Sequence, residues 1–245
     1  GKTENVDSLV VTWPDNTKSK VFDISVNQQL TLLSSSSIRG DMASKSENNT
    51  LFKNDDSKIQ YTHTENLFND YDKQVLLPHK LSQFGPAKAV SDVNGDGLED
   101  VYMGSASGKI SKLFFQSEKG LFLESKNQPW QRHSALEDLD AVFFDFDNDG
   151  DNDLYVVSGG NEFSPNSSTY LDRLYVNDGN GNFNFKRELL PNIFKSGSVV
   201  KPYDFDSDGD LDLFIGSRMI PWNYPQPASS YLLLNNDGKF TEYDD

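Results

Sequence analysis

The 245-residue chain carries 38 acidic against 22 basic residues, a net charge of -16, so a nucleic-acid backbone or an anionic membrane surface would repel it. Cysteine is absent, which excludes disulfides, thiolate nucleophiles and cysteine-based zinc sites. No apolar run approaches the roughly 20 residues that span a bilayer, which argues against membrane insertion. Phe and Tyr number 17 and 10, a usage that suits half-buried pleated surfaces, and the chain reads as all-β.

Taken in chain order, residues 1–34 predict a small β unit of two or three alternating apolar segments, broken by the turn Pro14-Asp15-Asn16. The opening GKTENVDS has no signal-peptide pattern, so the expectation is either a cytosolic protein or a processed or trimmed piece of a longer one. Residues 35–79 are rich in Ser, Asn, Asp and Lys without apolar periodicity, and predict a polar linker or an irregular excursion. Within that stretch Arg39-Gly40-Asp41 spells a tripeptide that integrins recognise, a match short enough to arise by chance.

From about residue 80 the chain repeats itself in three units, 80–125, 138–186 and 197–243, within a region extending to 245. Each opens with an apolar strand and passes through an Asp/Gly loop into a strong strand: VYMGSA, LYVVSGG or LFIGSR. A further strand, a turn and an aromatic close each unit, as KLFFQSEKGLF, RLYVNDGNGNF and YLLLNNDGKF. Four strand signals per unit match the blade of a β-propeller, so the expected architecture is a partial propeller of three blades behind a small β unit.

The three loops share the pattern D-x-[DN]-x-D-G-x-x-D. Oxygens at the first, third, fifth and ninth positions would be those of Asp92, Asn94, Asp96 and Asp100; of Asp145, Asp147, Asp149 and Asp153; and of Asp204, Asp206, Asp208 and Asp212. Gly97, Gly150 and Gly209 permit the turn that brings the ninth carboxylate round, and backbone carbonyls of Leu98, Asp151 and Asp210 would complete the shell. Hard oxygen donors on a flexible loop point to calcium, one ion per loop. An EF-hand would need a Glu at position twelve, where this chain has Met103, Val156 and Ile215, so the loops read as β-hairpins. Asp/Asn/Gly clusters are also ordinary turn chemistry, but three in register, each crowding acids into nine residues, would repel themselves without a cation.

At these residues the chain resembles the FG-GAP/VCBS repeat family, whose blades build integrin-type β-propellers with calcium in the first hairpin loop. Phe84-Gly85-Pro86-Ala87, ahead of the first loop, echoes the family's label. Residues 8–32, through Val11-Thr12-Trp13-Pro14 and Asn27-Gln28, look like an ASPIC/UnbV module, found beside such repeats in secreted and surface proteins. Family propellers usually have seven blades and a closed one needs at least four, so the resemblance implies either the remaining blades of a larger chain or self-association.

Two loops after second strands, 158–163 and 218–225, are richer than turns require. Asn161, Glu162, Arg218, Trp222 and Tyr224 are the candidate ligand-binding residues there, for a glycan or a protein, although Trp and Pro also serve packing between blades. His63, His79 and His133 show no metal spacing, and His133 with Ser134 and Asp138 makes no triad without a nucleophile elbow. The expected function is therefore a non-catalytic, calcium-rigidified binding or adhesion scaffold of a secreted, periplasmic or surface protein of bacterial origin. The alternative is a polysaccharide lyase or hydrolase acting on the propeller face, against which stands the assignment of nearly every clustered carboxylate to metal.

Overall fold

The computed structural model describes residues 5–34, 38–39 and 58–243. Two compact units divide the chain, residues 1–54 and 55–245. In the first, strands β1 (Asn5–Thr12) and β2 (Thr17–Ser25) form an antiparallel hairpin, and β3 (Ile38–Arg39) adds to β2. Asn16 takes a left-handed φ of 62° at the hairpin turn, and the Asp15 carboxylate accepts from Thr17 N and Oγ1, the Asx chemistry expected of such a turn. Trp13 Nε1 donates to Ser19 Oγ across the hairpin at 2.9 Å.

The second unit is an open partial β-propeller of three four-stranded antiparallel sheets. Blade 1 comprises β4 (Lys88–Ser91), β5 (Asp100–Met103), β6 (Lys112–Gln116) and β7 (Phe122–Ser125). Blade 2 comprises β8 (Asp138–Phe144), β9 (Asp153–Ser158), β10 (Arg173–Val176) and β11 (Asn184–Phe185). Blade 3 comprises β12 (Val199–Tyr203), β13 (Asp212–Gly216), β14 (Tyr231–Asn235) and β15 (Phe240–Glu242). In every blade the strands pair in chain order, and the first strand of blade 2 lies against the first strands of both its neighbours. Among the described residues no helix is long and apolar enough to cross a membrane.

Period-two alternation decides which residues meet between sheets. Ala89, Val93, Tyr102 and Leu113 of blade 1 share a core with Ala141, Leu154, Val156 and Tyr175 of blade 2. On its other face blade 2 turns Phe144, Phe146, Tyr155 and Leu174 into a second core with Val200, Leu213, Ile215 and Leu233 of blade 3. Strand β9 is consequently buried at every residue, which is why LYVV reads as an unbroken apolar run.

Residues 58–87 contain no strand and only one short 3₁₀ turn, Asp70–Asp72. They form a strap that begins beside blade 1, where Phe122 N donates to Lys58 O at 3.0 Å and the Tyr61 ring meets Phe114 edge-on, and then crosses the strand ends opposite the Asp/Gly loops. Tyr61 Oη donates to Gly104 O at 2.7 Å and Asn66 Nδ2 to Ser107 O at 2.8 Å. Further along, the buried Asp70 carboxylate accepts from Leu81 N, Ser82 Oγ and Asn161 Nδ2, and Gln74 Oε1 accepts from Tyr224 N.

Candidate metal centres

Each Asp/Gly loop joins the first and second strands of its blade, so it sits at one end of the sheets, fixed by the ladder on both sides. Its geometry is set by residues of left-handed conformation at the fourth and sixth positions. The sixth-position glycines Gly97, Gly150 and Gly209 have φ of 83°, 95° and 102°. A Cβ there would meet nothing within 4 Å, so glycine is required by backbone conformation and not by space. Gly95, Asn148 and Ser207 hold the fourth position at φ of 75°, 59° and 63°.

That curl turns the first, third and fifth side chains onto one point. In blade 2, carboxylate oxygens of Asp145, Asp147 and Asp149 lie within 4.8 Å of one another, and in blade 3 those of Asp204, Asp206 and Asp208 do the same. The first-position carboxylate also holds the loop, since its Oδ2 accepts from the sixth-position N–H: Gly97 to Asp92 at 2.8 Å, Gly150 to Asp145 at 3.0 Å, Gly209 to Asp204 at 3.3 Å. The remaining oxygens, Asp145 Oδ1 and Asp204 Oδ1, are buried and have no hydrogen-bond partner. A buried carboxylate oxygen without a donor is costly, and a cation at the point of convergence removes that cost. In blade 1 the third position is Asn94, and Asp92 Oδ1 accepts from Gly95 N at 2.8 Å.

The ninth-position carboxylates do something the spacing did not disclose. Asp100, Asp153 and Asp212 are all fully buried. One oxygen of each accepts from the second loop residue: Val93 N to Asp100 at 3.2 Å, Phe146 N to Asp153 at 3.1 Å, Phe205 N to Asp212 at 2.7 Å. The other accepts from the end of the third strand, Gln116 N, Asn177 N and Asn235 N respectively, each at 2.8 Å. Every ninth aspartate is thus a brace between loop and sheet, with lone pairs left over for an ion. Burial outweighs these amides at Asp153 and pushes its carboxyl up to about 7. Asp147 is raised by desolvation and then by its neighbours Asp149 and Asp145, and burial likewise raises Asp100. Carboxylates whose charged form the fold disfavours in this way are ones that a divalent cation would stabilise.

At the seventh position, Leu98, Asp151 and Asp210 donate their N–H to the fifth-position carboxylates of Asp96, Asp149 and Asp208 at 2.8, 3.1 and 2.9 Å. The Asp210 side chain also ties neighbouring loops together, accepting from Asn148 Nδ2 at 2.7 Å.

The two polar loops at the other end meet one another, but their residues do different things. Asn161 is fully buried and engaged through both ends of its amide: Nδ2 donates to Asp70, Oδ1 accepts from Gln74 Nε2 and Trp222 N, and its carbonyl accepts from Trp222 Nε1. Glu162 accepts from Asn66 Nδ2 of the strap at 3.0 Å. Arg218 stacks over Phe84, its Cζ 4.4 Å from the ring centroid, and lines a cleft of about 230 Å³ with Tyr224, His79 and Pro78. Gly40 and Asp41 lie outside the described residues. His133 packs on Phe185 and meets Tyr175 Oη at 2.8 Å, while Asp138 turns instead to Arg173.

The model of the FG-GAP-like repeat matches residues 92–156 and 145–215, and that of the ASPIC and UnbV domain matches residues 1–39. Comparison with curated proteins found no match. The first family's matches begin at the first-position aspartates Asp92 and Asp145, run through loop and second strand, and together cover more than half of the chain. The chain belongs to the FG-GAP-like repeat family and carries an ASPIC and UnbV segment at its N-terminus.

Proposed function

We propose that this chain is a calcium-binding β-propeller module, a non-catalytic binding or adhesion scaffold of a secreted, periplasmic or surface protein. The observation that carries the reading is the convergence of Asp145, Asp147 and Asp149, and of Asp204, Asp206 and Asp208, each with one buried first-position oxygen that has no donor. Several hard oxygens on a loop that can adjust suit calcium, whereas magnesium demands a near-ideal octahedron and keeps its waters. The first loop, with Asn94 in place of an acid, shares the same curl and takes a third ion. Extracellular modules bind calcium at about 10⁻⁴ to 10⁻³ M, which matches the medium outside the cell. Calorimetric titration of chelator-treated protein is the test: the expected uptake is about three ions per chain. Uptake of fewer than two would overturn the loop assignment.

A further inference from the structure

The chain is strongly acidic, yet the two segments that wall one of its clefts hold no acid at all. Residues 73–87 of the strap contain no Asp or Glu, in a chain that has 38, and carry Lys73, His79 and Lys80. Residues 213–236, which include the loop after β13, likewise contain no acid and carry Arg218. Asp70, the acid bonded into this region, is fully buried, and its oxygens accept from Leu81, Ser82 and Asn161. The segments meet in the cleft of about 230 Å³ beside Arg218, whose walls include Met219, Tyr224 and three prolines, Pro78, Pro225 and Pro227.

The Arg218 guanidinium is placed but unspent. Its Cζ lies 4.4 Å from the centroid of the Phe84 ring, and such stacking engages the plane of the group while leaving its N–H edge open. Among the described residues neither a carboxylate nor any other acceptor takes those N–H groups. Phe84 packs in turn on Leu77, Leu81 and Met219, and the His79 ring meets it edge to face, with centroids 6.1 Å apart. The far rim is held as firmly. Trp222 donates from N and Nε1 to Asn161, and Tyr224 N donates to Gln74 Oε1, both acceptor residues being buried. A cleft pinned on both sides is formed before its ligand arrives.

A free arginine edge on an aromatic platform matches a planar carboxylate. Proline walls offer no N–H, so an extended peptide finds no ladder to join. Together with the Tyr224 ring, 48% exposed, they present flat apolar patches edged by a hydroxyl and the Gln226 amide, which suit the mixed polar and apolar faces of a pyranose. The net charge of -16 does not forbid an anion here, because charges beyond about 8 Å are largely screened at physiological ionic strength.

We propose that this cleft binds a carboxylate-bearing sugar, a hexuronate unit of an acidic polysaccharide, with the carboxylate on Arg218 and the ring against Tyr224 and the prolines. Lys73, its Nζ 4.9 Å from the centroid of the Trp222 ring, puts a second cation on the same loop for a neighbouring unit. The inference rests on the reading of the chain as a binding scaffold and names what it holds, but no residue of the calcium loops lines the cleft.

The test is titration of the whole chain, in millimolar calcium, with short oligogalacturonate and oligomannuronate, and with methyl-esterified oligogalacturonate as the uncharged probe. At least one acidic oligomer should bind; the ester should bind at least about tenfold more weakly than the acid, and Arg218→Ala should weaken the acid by a similar factor. Arg218→Lys, which keeps the charge and loses the fork, should fall between parent and Arg218→Ala. Calcium uptake measured on the same samples should be unchanged by either variant, so failure of the cleft and failure of the calcium scaffold are read separately. No binding by either acidic oligomer, equal binding of acid and ester, or binding that survives Arg218→Ala overturns the proposal. Displacement of the sugar by an equal concentration of oligoglutamate would assign the cleft to an acidic peptide and overturn it equally. Shortening of the oligomer, lost in Arg218→Ala, would support the cleft and overturn the non-catalytic reading instead.

Discussion

Arg173 and Asp138 form an ion pair of 2.7 Å with side-chain exposures of 2% and 0%, at the seam between blades 1 and 2. Asp138 belongs to blade 2, but its other oxygen accepts from Tyr102 Oη, Ser105 N and Ser111 Oγ of blade 1. The next seam uses the same device without a cation: Asp172 accepts from Tyr155 Oη of its own blade and Tyr231 Oη of blade 3. Removing one partner of a buried pair leaves a charge in a poor dielectric. Asp138→Ala should therefore destabilise the second unit by about 3 to 5 kcal/mol, read from denaturant unfolding in saturating calcium. A loss below about 1 kcal/mol would place this pair among the interactions that contribute little.

Metal ligand and brace separate in a pair of substitutions. Asp149→Ala removes an exposed acid from the convergent cluster, so it should abolish one calcium ion and cost little stability in excess chelator, where it relieves repulsion. Asp153→Ala strips the acceptor from Phe146 N and Asn177 N inside the protein. It should cost about 1 to 3 kcal/mol even without metal. Thermal melts of both variants with and without calcium decide the matter, and equal losses in chelator would refute the division of labour.

Much of this was legible in the sequence because loop and strand carry their own local signals. The spacing of Asp145, Asp147, Asp149 and Gly150 encodes a curl within six residues, and LYVVS announces a strand buried on both faces. Partners distant in sequence were not legible. Nothing around Asn177 or Asn235 announces a bond to Val93 or Phe146, although an asparagine closing the third strand in two of the three units was a signal to follow. The strap at 58–87 has no periodicity to read, since single side chains such as Tyr61, Asn66 and Asp70 hold it, each to a different blade or turn. Asn161 reads as a ligand-binding residue in a polar loop, and only the fold shows its amide buried and held by Asp70, Gln74 and Trp222.

Calcium should stabilise the fold by mass action, by about 1 kcal/mol per site once its concentration is several times the dissociation constant. Scanning calorimetry should show several degrees between millimolar calcium and excess chelator. Identical melting temperatures would mean that the ions, if bound, brace nothing.

Glu137 gives the pH dependence. It is 2% exposed immediately before β8, its Oε1 has no partner, and its carboxylate lies so close to Gly160 that a Cβ there would come within 2.3 Å of Oε2. Burial, with Glu162 and then Glu65 nearby, pushes its carboxyl up to about 9. The folded protein therefore keeps a proton that the unfolded chain releases above its ordinary value of 4.5. Because the folded value is the higher one, the contribution to stability is complete below about 4.5 and is lost as pH rises toward about 9. The slope in that window is at most about 1.4 kcal/mol per pH unit. Glu137→Gln keeps the shape and cannot ionise, so it should flatten that slope and raise the melting temperature at pH 8 relative to the parent. Measured in excess chelator, so that calcium binding does not add its own pH dependence, parallel stability curves for parent and variant between pH 5 and pH 9 would show that Glu137 is ionised in the fold and that water or a cation reaches it.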